Sequence, residues 1–216
     1  MNKVRLTITA LLLGALFCQK ATCAPALVQF PSGPAGWTVD ITPSPSHGSA
    51  PLGGNHFTKL EVSQDDQKRR TVITMSNGVT GERWSIPATN MILVEAPDGS
   101  VYGVPNAGEN VQTFGLPYFD SDFTWVKPGT LVEKDPVSYQ GKLCFHYKGT
   151  VKKPLLGTAE PATTTIQVEA WIDSKTGLPV SLDDGTWQAA YTFRAPPFPP
   201  LNVSPNFQKA YARLSR

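Results

Sequence analysis

Between residues 55 and 194, apolar and polar positions alternate with the two-residue period of half-buried strands, and no stretch repeats at 3.6 residues. Short β-branched and aromatic runs are separated by turn pairs. Asn77-Gly78 is the strongest of these. A two-residue loop there needs positive φ at both positions, which Asn and Gly tolerate best, and it pairs Ser76 with Val79 and Thr71 with Trp84. Asp98-Gly99 joins residues 91–95 to 101–104, Gln140-Gly141 precedes 142–148, and Asp184-Gly185 closes the last hairpin. Earlier in the chain, Trp37-Thr38-Val39-Asp40-Ile41 predicts a strand with Trp37, Val39 and Ile41 on one face.

The C-terminal hairpins permit a test of register. A two-residue loop at Asp184-Gly185 pairs Leu182 with Trp187, Val180 with Ala189 and Leu178 with Tyr191, so all six share a face. In the preceding strand Ile166, Val168, Ala170 and Ile172 share one face, and Gln167, Glu169, Trp171 and Asp173 the other. A four-residue loop at 174–177 would set Glu169 beside Leu182. A three-residue loop at 175–177, with Gly177 left-handed, pairs Ile172 with Val180 and Ala170 with Leu182. One residue of slip turns every side chain over, so burial selects the second register. Trp171 then points away from the apolar face, either under a second layer such as the C-terminal helix or out for contact.

The predicted fold is mainly β: an antiparallel meander forming a curved sheet or half-barrel, with a short C-terminal helix. Proline marks its limits. Residues 24–54 are a Pro/Gly-rich extended segment, 55–194 the β domain, and 195–216 a Pro-rich tail with a short helix. In that helix Ser204 caps, Pro205 takes the first turn, and Phe207, Tyr211 and Leu214 form the apolar stripe.

Ahead of this, residues 1–23 read as a secretory signal peptide. Lys3 and Arg5 precede an apolar run at 6–18, too short to span a bilayer, and small residues Ala21 and Cys23 precede the expected cut. Export implies a periplasmic or secreted chain with no transmembrane segment after cleavage. The formal charge of +2 then becomes −1, because the leader holds Lys3, Arg5, Lys20 and no acid. Nucleic-acid binding thereby loses its compositional support. Cys144 alone survives cleavage, so no internal disulfide forms.

Candidate chemistry is sparse. Cys144 and His146, two apart on one strand, share a face as either an activated thiolate or half a metal site, or as plain packing. They lack a visible oxyanion hole, orienting group or further ligands, and no hydrolase, zincin or nucleotide motif is present. The chain is expected to be non-catalytic, without metal or cofactor. Asp120-Ser121-Asp122 and Asp183-Asp184-Gly185 resemble pieces of calcium loops without the remaining ligands. Lys68-Arg69-Arg70, next to Asp65 and Asp66, reads as a solvated turn.

Val168-Glu169-Ala170-Trp171-Ile172-Asp173, Thr176-Gly177-Leu178-Pro179-Val180 and Tyr191-Thr192-Phe193 resemble the closing hairpins of the LolA/LolB-like periplasmic lipoprotein carriers. Residues 70–94, with Glu82-Arg83-Trp84, resemble the meander of the same superfamily. The resemblance implies a half-barrel whose concave apolar face holds acyl chains. On the residues of this chain, that face offers Ala170, Ile172, Leu178, Val180, Leu182 and Tyr191 to a lipid or other apolar ligand. The other expectation is a structural or interaction module of the bacterial envelope, docking an envelope protein partner through its Pro-rich flanks and Trp171.

Overall fold

The computed structural model describes residues 28–45, 54–86, 91–96, 98–105, 118–154 and 163–214. The expected signal peptide at 1–23 lies outside the described residues, as does part of the Pro/Gly-rich segment. Among the described residues, no helix is long and apolar enough to cross a membrane.

Eleven strands make one antiparallel sheet among the described residues. They are β1 (Ala35–Pro43), β2 (Phe57–Gln64), β3 (Arg69–Met75), β4 (Thr80–Ile86), β5 (Met91–Glu95), β6 (Val101–Pro105), β7 (Val137–Tyr139), β8 (Lys142–Pro154), β9 (Thr163–Asp173), β10 (Pro179–Asp183) and β11 (Trp187–Phe193). Their order across the sheet is β6-β5-β4-β3-β2-β1-β11-β10-β9-β8-β7. Two consecutive meanders therefore meet where the first strand pairs with the last, and the sheet stays open at β6 and β7. A twisted sheet this wide curls. Here it curls around a main apolar core that draws residues from β1, β2, β8, β9, β10 and β11 together.

β1 lies inside the Pro/Gly-rich segment, yet it is a central strand. Trp37, Val39 and Ile41 are buried, and pair with Phe193, Tyr191 and Ala189 of β11. The boundary drawn at 54/55 thus falls between two neighbouring strands. Alternation won over composition at this point.

The hairpins differ in detail from the predicted registers. At Asn77-Gly78 the loop has three residues: Met75 N–H donates to the Val79 carbonyl, and Gly78 is left-handed at φ 80°. Thr71 therefore faces Arg83, and Trp84 faces Arg70. That one-residue change sends Trp84 to the outer face. Gln140-Gly141 does form the two-residue loop, with φ of 49° and 77°. At the last hairpin the loop moves on by one residue, so Leu182 meets Ala189 and not Trp187. A shift of this kind changes partners but keeps the face.

Both loops considered for β9–β10 are realised in part. Asp173 N–H donates to the Leu178 carbonyl and Ile172 pairs with Pro179, as a four-residue loop requires. A bulge at Val180 then restores the pairing of Ala170 with Leu182. The predicted Ile172–Val180 pair does not form. The bulge takes up the extra residue and keeps the apolar face inward.

The C-terminal helix α1 (Pro205–Leu214) begins as expected, with Phe207 N–H on the Ser204 hydroxyl. Its buried stripe is Phe207 and Ala210, while Tyr211 is exposed. It covers Trp84 and Leu93 on the outer face, not Trp171.

Candidate functional site

Cross-strand pairing builds the inner face row by row. One row runs Ile41, Ala189, Leu182, Ala170, Tyr147 across five strands. Another sets Ile73, Leu60, Val39 and Tyr191 side by side. Of the six predicted ligand residues, Ala170, Ile172, Leu182 and Tyr191 come together in the core cluster. Val180 is buried at the bulge, outside that cluster. Leu178 is half-buried and belongs to the turn before β10.

This face is closed by a stretch that pattern reading missed. Residues 118–131 form two short 3-10 turns, Asp120–Phe123 and Pro128–Thr130, joined by irregular chain. Tyr118, Phe119, Phe123 and Val126 are buried against the sheet, and Trp125 and Leu131 are packed beside them. The Phe123 ring lies 5.7 Å from Phe30 and 5.8 Å from Tyr191. Tyr191 donates its hydroxyl to the Tyr118 carbonyl at 3.1 Å, and burial pushes that hydroxyl's pKa well above its ordinary value. Asp122, read from sequence as a calcium-loop fragment, accepts the Tyr118 and Phe119 backbone N–H groups and fixes the first turn. The signal for this cover was its aromatic content, four rings in eight residues, without any period to reveal its role.

Arg69 departs from the solvated-turn reading. It enters β3 pointing inward, with its guanidinium 5.7 Å from the Trp37 ring centroid and 5.1 Å from that of Phe119. Burial lowers its pKa, and Nε donates to Gln64 at 3.0 Å. Its neighbours Lys68 and Arg70 do pair outward, with Asp65 and Glu82.

On the outer face, Trp171 stacks parallel to Tyr139 at 4.2 Å and to His146 at 3.9 Å. Two rings that close to one centroid cannot share a side, so Trp171 is held between them. This sandwich, not α1, provides its cover. Glu169 meets His146 at 3.2 Å and Lys148 at 2.7 Å. Cys144 is fully buried on the same side. Burial raises its thiol pKa, with the Asp173 charge adding to the effect. This is the opposite of what an activated thiolate needs.

The chain matches no protein-family model and no curated protein.

Proposed function

We propose that this protein is an exported carrier of a lipid or other apolar ligand, which it holds against the inner face of its open sheet. One observation carries the reading. The face built by Ala170, Ile172, Leu182 and Tyr191 is covered by irregular chain whose aromatic rings fill apolar space, and not by a second sheet. An acyl chain offers that face the same kind of contact, at about 0.8 kcal/mol for each CH₂ buried. Exchange of ring for chain is then close to neutral, so a modest affinity suffices to move the cover. Export and the likeness of residues 70–94 and 165–193 to lipoprotein carriers belong to the same reading.

The test is titration with 11-(dansylamino)undecanoic acid, followed by energy transfer from Trp and by displacement with oleate. Saturable binding is expected, tightened in Phe123→Ala, which loosens the cover. Circular dichroism reports whether that variant stays folded. A wild-type protein that neither binds the probe nor carries an acyl mass in native mass spectrometry sinks the reading.

A further inference from the structure

β8 is much longer than what pairs with its outer side. Along one side it matches β9 from Cys144 to Pro154. On the other, β7 takes residues 142–144, and the Leu131–Tyr147 bridge with Val132 N–H on the His146 carbonyl takes the next turn of the ladder. From Lys148 onward no strand among the described residues joins it. The direction of its peptide groups follows from two bonds. The Leu143 carbonyl accepts Ser174 N–H from the β9 side, and the His146 carbonyl accepts Val132 N–H from the other. Successive peptides alternate, so those of Lys148, Thr150 and Lys152 point away from β9.

A cavity of about 390 Å³ opens along this edge, between Trp125, Lys127 and Thr130 on one side and residues 148–150 on the other. Gly149 makes room for the Trp125 ring, which forms its wall. Lys127 and Lys148 line it and are exposed, and Lys152 is exposed two residues beyond Thr150 on β8. Glu169, bound to Lys148, offsets only part of this charge.

We propose that the 148–152 edge of β8 takes up an extended acidic peptide from a partner protein as an added antiparallel strand. Backbone groups at Lys148, Thr150 and Lys152 supply the ladder. Acidic residues four apart in the peptide meet Lys148 and Lys152, and apolar residues between them turn toward Trp125. A second copy of this chain is the wrong occupant, because antiparallel self-pairing about Thr150 sets Lys148 against Lys152. The surface lies at the sheet edge beside the inner face used by the proposed carrier and shares Trp125 with the cover of that face, but the peptide assay is read without any lipid ligand.

The test uses the full chain and a fluorescein-labelled peptide, Thr-Glu-Val-Thr-Val-Glu-Thr, followed by anisotropy. Saturable, salt-sensitive binding is expected, with slowed amide exchange at Lys148, Thr150 and Lys152. Replacing both Glu by Lys weakens it at least tenfold. Thr150→Pro removes one edge donor and leaves the β8–β9 ladder whole, so it also weakens binding at least tenfold, while Thr150→Ala does not. Methylating the central Thr nitrogen of the peptide gives the same loss on wild-type protein, which covers a misfolded Thr150→Pro. Absent binding, equal binding of the Lys peptide, unchanged binding of the methylated peptide, or a dimer abolished by Thr150→Pro would each overturn the proposal.

Discussion

Gly149 tests whether the cover is packed as tightly on β8 as its geometry states. A Cβ built there lies 2.6 Å from Cε3 and 3.1 Å from Cζ3 of Trp125. Carbon atoms rest at about 3.5–4.0 Å, so Gly149→Ala drives the indole back by about 1 Å. Overpacking of this size costs about 1–3 kcal/mol. The Ala also restricts the unfolded chain, which offsets about 0.4–1 kcal/mol. The net expectation is a loss of about 1–2 kcal/mol, read from urea unfolding by far-ultraviolet circular dichroism. Trp125→Leu removes the clashing ring. In that background Gly149→Ala should be neutral or stabilising by a few tenths of a kcal/mol. The cycle therefore predicts a coupling of about 1–3 kcal/mol between two residues 24 positions apart. Equal effects of Gly149→Ala with and without the indole would refute the contact.

Two further outcomes follow from the outer face. Burial alone would raise the Glu169 carboxyl, but hydrogen bonds from Lys148 and His146 outweigh it and hold the group below its ordinary 4.5. Its charged form therefore stabilises the fold above pH 4.5, and that contribution is lost as pH falls through the lower folded value. Glu169→Gln should flatten the fall of melting temperature below pH 4.5, by an amount no larger than a partly exposed ion pair allows, about 1 kcal/mol; parallel curves would contradict the pairing. The Cys144 thiol should react with iodoacetamide at pH 8 at least about 1,000-fold more slowly in native protein than in urea, since attack waits on opening of the fold. Prompt native alkylation would place that thiol at the surface.

The limits of the sequence reading have physical causes. Glycines marked the turns well: Gly78, Gly99, Gly141, Gly177 and Gly185 all have positive φ. Local chemistry did not fix loop length, because a left-handed Gly serves a two-residue or a three-residue loop. Asn77-Gly78 shows the consequence. Burial of Trp84 does not choose between the two loops from sequence, because the partners that bury it come from a distant helix. Phe207 and Ala210 of α1 dock on Trp84 and Leu93 and make that face apolar. For the β9–β10 hairpin, burial selects one of two registers, and a bulge supplies both. Four of the six inner-face residues were legible from parity alone. Val180 and Leu178 were displaced because they lie at the bulge and in the loop, where parity breaks down.

The cover is rich in aromatic rings but has no period, and topology dictates its place. Within each meander, consecutive strands are neighbours in the sheet. The connection from β6 to β7 is different, because it joins the two open edges. Laid flat, those edges stand about 48 Å apart, ten strand spacings of about 4.8 Å. Curling brings them closer, and the short route between them crosses the concave side. The described part of the connection does so: Tyr118 meets Tyr191 at the middle of the sheet, and Leu131 meets Tyr147 of β8 beside the far edge. Among the described residues, the cover of the inner face and the extent of the unpaired β8 edge are therefore set by one stretch of chain, which closes the first and ends where the second begins.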